Sequence, residues 1–290
     1  MKIEVSGNNI ILKHPDSFHL QHIFECGQCF RWDKVSENAY EGIAFGKALL
    51  IEKSKDDYIF HNTTESDFNS LWKDYFDLDR DYSKIKSTFK GDKSLEEATE
   101  FGYGIRILNQ DFFETVISFI ISASNNIPRI KGIIARLSEN FGEKVNYMGK
   151  VFYTFPTPDK LSVLTEDEIA VIRSGFRGKY IIATSKAFAS GEISYDKLKD
   201  LSYTDAKTEL LKLSGVGEKV ANCILLFALA KYDSFPIDVW IKRIMEYCYF
   251  DKNQTDNKTI ANYAEEHYGK YGGFAQQYLF YWARENKIGG

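Results

Sequence analysis

At 290 residues, the chain is long enough for one large domain or two modest ones, and 44% hydrophobic residues supply a folded core. The sequence has no apolar run of about 18 residues and no basic start followed by an apolar block, so we expect neither a membrane span nor a secretory signal. Its four cysteines fit a reducing compartment, and we expect a cytoplasmic protein.

The acidic residues are concentrated in one segment. Residues 56–81 contain eight acidic and two basic side chains, a net charge of −6 within a chain total of −4, so the remaining residues carry +2. Because salt screens exposed charges beyond roughly 10 Å, an acidic segment does not prevent a distant face from attracting phosphate. The charge therefore permits DNA binding without indicating it, and residues 56–81 are interpreted as a solvated face.

In chain order, strand patterns come first and helical patterns follow. KIEVSGNNIILK, YEGIAFGKALLIEK and DYIFHN alternate as strands do, whereas from about Ser66 apolar residues recur at three-to-four spacing. The pattern predicts an α+β fold, with an antiparallel sheet and helices over residues 1–98. We expect the second unit, residues 99–290, to be all-helical.

A short glycine-containing turn separates two amphipathic helices that we predict over residues 206–212 and 218–231. The turn has the form L-x-G-V-G, which is typical of a helix-hairpin-helix. Glycines at such a bend let backbone N–H groups approach a phosphate, so Gly215 and Gly217 are candidates for gripping DNA without reading its sequence. An ordinary helical hairpin that needs glycine at its bend remains the alternative.

Lys219 and Asp238 are the candidate catalytic pair. Asp238 has the features of a helix N-cap, while Lys219 could equally reach solvent or a phosphate. A helix of 14 residues is about 21 Å long, and the chain from Lys231 to Asp238 spans at most about 23–25 Å. The connector can therefore return Asp238 to Lys219, where an amine nucleophile and a carboxylate could act together.

Six short segments carry a resemblance that runs over nearly the whole chain. They are GQCFRW (27–32), SASNNIPRI (122–130), GFRGKY (175–180), LSGVGEKVANC (213–223), FPIDVW (235–240) and GFAQQYLF (273–280). In this order they resemble the helix-hairpin-helix DNA glycosylases, and specifically the 8-oxoguanine DNA glycosylase/lyases.

The resemblance implies a bifunctional repair enzyme that excises 8-oxoguanine and then cleaves the abasic strand. Lys219 would attack the sugar carbon C1′ and form a Schiff base, and Asp238 would stabilise the oxocarbenium character of the sugar. The flipped base would be bound by four residues, namely Gly27, Cys223, Gln276 and Phe280. The resemblance implies no cofactor and no metal, and we expect a monomer.

The implied partner is double-stranded DNA with 8-oxoguanine opposite cytosine. Arg129 would read that cytosine, and Phe176 would wedge into the duplex with Arg177 beside it. The implied gap-filling and backbone contacts come from Ser124, Asn125, Asn126, Gly215, Gly217 and Trp240. Three of these positions depart from the family pattern, because Ser124, Phe176 and Trp240 stand where Asn, Tyr and His are usual.

Other interpretations remain open. Cys26 and Cys29 form CGQC, which could be a redox pair or half a metal site, but no second such pair exists and we expect a structural role. Only Cys248 lies near the C-terminus, so we expect no iron–sulfur cluster. A related glycosylase for another lesion, or a DNA-binding module without catalysis, is the alternative function.

Overall fold

The protein, described here by a computed structural model, consists of an antiparallel sheet followed by helices over residues 2–288. This arrangement confirms the predicted α+β class. Residue 1 and residues 289–290, the outer ends of the two predicted units, lie outside the described residues. The strands are β1 (Lys2–Ser6), β2 (Asn9–Lys13), β3 (Trp32–Ser36), β4 (Ala39–Ala44), β5 (Lys47–Ser54), β6 (Asp57–Phe60), β7 (Lys144–Tyr147) and β8 (Lys150–Tyr153).

Six strands form the large sheet, in the order β1-β2-β6-β5-β4-β3, and every neighbouring pair is antiparallel. Alternate residues of β2, Ile10 and Leu12, are fully buried, as the sequence alternation predicts. The β4–β5 turn places Phe45 and Gly46 at positive φ, which a two-residue hairpin requires.

Helices occupy most of the rest of the chain. They are α1 (Leu20–Phe24), α2 (Glu65–Asp67), α3 (Lys73–Tyr75), α4 (Tyr82–Ser87), α5 (Lys93–Phe101), α6 (Phe112–Ser122), α7 (Ile127–Phe141), α8 (Pro158–Ser162), α9 (Glu166–Ile169), α10 (Arg177–Ala189), α11 (Tyr195–Leu198), α12 (Tyr203–Leu210), α13 (Glu218–Ala228), α14 (Val239–Tyr249), α15 (Asn257–Tyr268) and α16 (Gly272–Asn286). A π-helical turn covers Phe68–Trp72, and 3-10 turns cover Ala170–Ile172 and Gly269–Tyr271. Among residues 2–288, no helix is long and apolar enough to cross a membrane.

The second unit is not entirely helical, because β7 and β8 form a hairpin within it. Its turn residues, Met148 and Gly149, both have positive φ. The Tyr147 hydroxyl accepts a hydrogen bond from the Leu50 amide and donates one to the His61 carbonyl, so the hairpin packs on the large sheet. The sequence pattern predicts no strand over residues 144–153, and this hairpin depends on these distant contacts with the sheet.

Two hydrophobic clusters form the core of the described chain. One fills the space beneath the sheet and includes Trp32 and Trp72. The larger cluster consists mainly of residues from the second predicted unit. It also includes Tyr82 and Leu95, which belong to the first predicted unit. Helix α5 packs against α16, and the predicted boundary at residue 98 lies inside α5. The division into residues 1–98 and 99–290 therefore stays a prediction.

Candidate active site

Helices α12 and α13 form the predicted hairpin, with Gly215 and Gly217 between them. Gly215 has φ of 82°, and a Cβ there would lie 2.9 Å from the Tyr180 side chain, so this position requires glycine. A Cβ at Gly217 would meet nothing within 4 Å. The N-terminus of α13 is thus open to solvent, as phosphate binding there requires.

Helix α13 is shorter than the sequence pattern predicts, because it ends at Ala228 instead of Lys231. Ala230 has a positive φ of 50°, and the Lys231 amide donates to the Leu225 carbonyl, which turns the chain back. The shorter helix brings its N-terminal end within easier reach of the returning connector.

Hydrogen bonds fix the connector beside α13. Ser234 Oγ donates to the Asn222 carbonyl at 2.7 Å, and the Gly273 amide donates to the Tyr232 carbonyl at 2.7 Å. A Cβ at Gly273 would lie 2.2 Å from Leu226 Cδ1, so glycine allows α16 to approach α13 closely.

The returning connector ends at Asp238, the N-cap of α14. Its Oδ1 accepts a hydrogen bond of 2.8 Å from the Ile241 amide. Asp238 and Lys219 line the same pocket. The structure thus brings the two candidate catalytic residues together while leaving Asp238 its capping contact.

The Lys219 amine lies in a largely apolar setting contributed by α6. Nζ lies 3.4 Å from Ser122 Oγ and 5.2 Å from the centre of the Phe119 ring. Phe119 in turn stacks on Phe227, with 5.4 Å between the ring centres. These contacts hold the amine at the pocket while leaving one side of it available to a substrate.

Cys223 lies one helical turn after Lys219 and is fully buried. Burial raises the pKa of its thiol to about 11, against a smaller lowering by the neighbouring Lys219 charge. Since the thiolate is the nucleophilic form, Cys223 is essentially unreactive at neutral pH. Cys223 is therefore suited to packing, and its thiol is not a candidate nucleophile.

The pocket has a volume of about 40 Å³. This volume holds only a few water molecules, so a purine base enters only when lining side chains separate. The residues that line it are Gly27, Phe119, Lys219, Cys223, Phe227, Pro236, Asp238, Gln276, Gln277 and Phe280. All four predicted base-binding residues and both predicted catalytic residues are among them.

Gly27 borders the pocket with φ of 80°, and a Cβ there would lie 3.0 Å from Phe280 Cε1. The next residue, Gln28, holds the loop in place. Its amide nitrogen donates to the Ile23 and Arg106 carbonyls at 2.8 Å each, and its oxygen accepts from the Leu108 amide. The fully buried Gln28 is a positioning residue that the sequence pattern did not single out.

Replacing Gly27 with Ala should damage base recognition more than strand cleavage. Alanine at this backbone conformation costs about 1–2 kcal/mol of stability, and its methyl group would push on the Phe280 ring. We expect excision of 8-oxoguanine to fall at least about tenfold relative to cleavage of a preformed abasic site, since one methylene in a binding pocket changes selectivity by that order. Thermal unfolding and single-turnover kinetics measure both effects.

Gly149→Ala is the matched control, because Gly149 has φ of 77° and open space around it in the β7–β8 turn. It should lose similar stability with no change in the ratio of the two rates. An equal change of that ratio in both variants would show that Gly27 has no particular role in the base pocket.

Cys26 and Cys29 are both buried and free. Burial raises both pKa values, that of Cys26 to about 12, and Cys26 Sγ donates to the Ile23 carbonyl. These observations favour the structural interpretation of CGQC. Over residues 2–288, no three His, Cys, Asp or Glu side chains are grouped to hold a metal ion.

The predicted gap-filling residues form the loop between α6 and α7. Ser124 is exposed with φ of 50°, and Asn126 caps α7 by accepting from the Arg129 amide. Asn125 Nδ2 donates to the Ile121 carbonyl at 3.1 Å. Asn125 and Asn126 therefore each have a structural contact at this loop. The Arg129 side chain remains exposed.

A second loop places Phe176 at the surface with its side chain 61% exposed. Arg177 behind it is buried, lies 4.5 Å from the Phe176 ring centre, and donates to the Ala123 and Ser124 carbonyls. Arg177 thus links the loop that carries Phe176 to the loop between α6 and α7. Its direct contact with DNA remains a prediction.

The other predicted DNA contacts lie outside the base pocket. Arg129 lines a basic surface depression together with Arg173 and Lys179. Trp240 is half-buried in the first turn of α14, and the Arg243 guanidinium lies 5.6 Å from its ring. Neither Arg129 nor Trp240 lines the base pocket, and Trp240 is the less exposed of the two.

Arg284 is a further residue that the sequence analysis missed. Its guanidinium lies 5.3 Å from the centre of the Phe280 ring, and its Nη2 donates to the Glu25 carbonyl. Its position four residues after Phe280 on one predicted helix could have indicated that the two side chains are neighbours.

Ser122, which contacts Lys219, could also have been identified from the sequence, because it is one of the few polar residues in the apolar helix α6.

Both halves of the chain are similar to known base excision DNA repair proteins. Residues 10–116 match the family model of the 8-oxoguanine DNA glycosylase N-terminal domain, and residues 117–269 match that of the HhH-GPD superfamily base excision DNA repair protein. A protein of Methanothermobacter thermautotrophicus named Probable N-glycosylase/DNA lyase is 34% identical, over 73% of this chain and 74% of its own. N-glycosylase/DNA lyase OGG1 of Arabidopsis thaliana is 31% identical, over 89% of this chain and 75% of its own.

A solved structure is similar over the full fold. It is the Clostridium acetobutylicum 8-oxoguanine glycosylase/lyase in complex with double-stranded DNA containing cytosine opposite 8-oxoguanine, with 43% identity and a TM-score of 0.96. The similarity covers 99% of both chains. The chain therefore belongs to the 8-oxoguanine glycosylase/lyase family within the HhH-GPD superfamily of base excision DNA repair proteins.

Proposed function

We propose that this protein excises 8-oxoguanine from double-stranded DNA and cleaves the resulting abasic strand. The observation that carries the proposal is the single pocket in which Lys219 and Asp238 lie beside the base-binding candidates Gly27, Gln276 and Phe280. A DNA-binding module without catalysis would have no need for a free amine beside a carboxylate in such a pocket.

The chemistry follows from the positions of these groups. The Lys219 amine attacks C1′ of the flipped nucleotide with its nitrogen lone pair and releases a proton, and the C1′–N9 bond breaks with its electron pair going to the base, which takes up a proton. The sugar ring opens to a Schiff base, and loss of a C2′ proton expels the 3′-phosphate by β-elimination. The Asp238 carboxylate stabilises positive charge on the sugar as the bond to the base weakens.

Base recognition uses the groups opposite Lys219. The Gly27 carbonyl accepts the N7–H that 8-oxoguanine has and guanine lacks, and Phe280 stacks on the flipped base against Cys223. A site that hydrogen-bonds one extra N–H rejects a base without that group more strongly than a pocket that discriminates only by shape. This contact therefore suits a repair enzyme that meets mostly undamaged guanine. Gln276 binds the Watson–Crick edge.

Groups outside the base pocket bind the duplex. Phe176 wedges into the gap left by the flipped nucleotide, supported by Arg177, while Ser124, Asn125 and Asn126 help to fill it. The open N-terminus of α13 at Gly217 and the indole of Trp240 contact phosphates. Such a protein acts where genomic DNA is, so in a bacterium the expected cytoplasmic protein would be nucleoid-associated.

Replacing Arg129 with Ala should relax the preference for cytosine opposite the lesion. A side chain that reads one base is worth about 1–3 kcal/mol of discrimination, so the ratio of excision rates opposite cytosine and opposite adenine should fall about five- to 150-fold. Single-turnover assays on duplexes with each opposite base measure the ratio. A uniform loss across opposite bases would make Arg129 a phosphate contact instead.

The function itself is tested by product analysis. With a duplex containing 8-oxoguanine opposite cytosine, we expect release of the free oxidised base and strand cleavage 3′ to the abasic site, with an undamaged guanine duplex left intact. Release of an alkylated base from a comparison duplex without release of 8-oxoguanine would instead favour a glycosylase for another lesion.

A further inference from the structure

Gln277 lines the base pocket and carries a buried hydrogen-bond acceptor without a partner in the described part of the chain. Its side chain is 3% exposed and lines the pocket beside Gln276 on α16. Its Nε2 donates to Gln276 Oε1 at 2.9 Å. Its own Oε1 is buried, and among residues 2–288 it has no hydrogen-bond partner.

A buried amide oxygen without a partner destabilises the folded protein, because it loses its hydrogen bonds to water and gains none in return. Native proteins contain few such groups, and each needs a specific explanation. Gln277 lies in a pocket whose proposed ligand carries hydrogen-bond donors. Occupation of that pocket would satisfy the oxygen.

The hydrogen bond between the two glutamines also restricts Gln276. An amide oxygen has two lone pairs, and one of those on Gln276 Oε1 is already engaged by Gln277. The pair therefore leaves acceptor capacity on each of the two oxygens, and within the described chain the Nε2 of Gln276 is free as a donor. The guanine Watson–Crick edge is complementary, since it presents the O6 acceptor followed by the N1–H and 2-amino donors.

We propose that Gln277 is a second specificity-determining residue, whose Oε1 accepts a hydrogen bond from the exocyclic 2-amino group of the flipped base. This inference rests on the proposed function and extends it. Gln276 then donates to O6 and accepts from N1–H, while its contact with Gln277 fixes its orientation. The pocket would select guanine-type oxidised purines over those that lack a 2-amino group.

The test compares two lesions that differ only in the exocyclic 2-amino group. Single-turnover excision is measured on duplexes with 8-oxoguanine and with 8-oxohypoxanthine, each opposite cytosine. Each rate constant is divided by that of the same protein on a preformed abasic site, so a general loss of fold or lyase chemistry cancels. The proteins are the wild type, Gln277→Leu, and Gln254→Leu as a control at an exposed glutamine.

The wild type and Gln254→Leu should prefer 8-oxoguanine by at least about tenfold, the factor expected for one good hydrogen bond to a buried partner. Gln277→Leu should lose most of this preference through a lower normalised rate on 8-oxoguanine. The inference is overturned if Gln277→Leu lowers both normalised rates in parallel, or if it leaves the preference intact. A wild type that releases no 8-oxoguanine would overturn the proposed function as well, so the two failures are distinguishable.

Discussion

Replacing Lys219 with Gln is expected to lower excision of 8-oxoguanine by roughly 10³-fold or more, because loss of a nucleophile removes the covalent route altogether. Binding to lesion DNA should persist, since the pocket and the exposed loops are intact. Lys219 is only half-buried and contacts Ser122 through one long hydrogen bond of 3.4 Å, so stability should change by less than about 1 kcal/mol. Single-turnover kinetics and equilibrium binding measure the two effects separately.

Lys186→Gln is the matched control for the loss of one positive charge, because Lys186 is exposed near the end of α10. It should retain wild-type excision. Comparable excision by Lys219→Gln and Lys186→Gln would contradict the lysine mechanism. Loss of DNA binding by Lys219→Gln would show that Lys219 serves DNA binding instead of the chemical step.

Replacing Asp238 with Asn separates its two roles. Asparagine caps a helix about as well as aspartate, so the free energy of unfolding should stay within about 0.5 kcal/mol of the wild type. The negative charge beside the sugar is lost, and removal of one such stabilising group typically lowers a rate about 10²–10³-fold. We therefore expect a folded enzyme with strongly reduced excision.

Asp256 supplies the control for this substitution. It caps α15 by accepting from the Lys258 and Thr259 amides, and it does not line the pocket. Asp256→Asn should match Asp238→Asn in stability while leaving excision unchanged. A small loss of activity in Asp238→Asn, with a large loss only in Asp238→Ala, would assign Asp238 to helix capping alone.

Features encoded by neighbouring residues could be predicted from the sequence. The alternation around Ile10 and Leu12 located the sheet, and the glycines of the hairpin located its turn. The length of the connector was enough to predict that Asp238 could return to Lys219, because a helix and an extended chain have fixed dimensions. The resemblance supplied four further pocket residues that no local pattern could connect, namely Gly27, Cys223, Gln276 and Phe280.

Features that depend on packing between distant segments could not be predicted. The β7–β8 hairpin is held by Tyr147 against the large sheet, and nothing local announces that contact. Gln277 and Arg284 acquire their importance only when α16 is folded against the loop at Gly27. The helix pattern also predicted a longer α13 than the structure has. The chain turns away from the helix at Ala230 in the left-handed conformation, which alanine rarely adopts, so the sequence contained no signal for the end of the helix.

The central claim is that Lys219 forms the covalent intermediate, and borohydride trapping followed by peptide mapping tests it most directly. Reduction during reaction with an 8-oxoguanine duplex should give a protein–DNA adduct, and digestion should place the modified residue at Lys219. The absence of an adduct from an enzyme that excises the base, or an adduct mapped to another amine, would contradict the account.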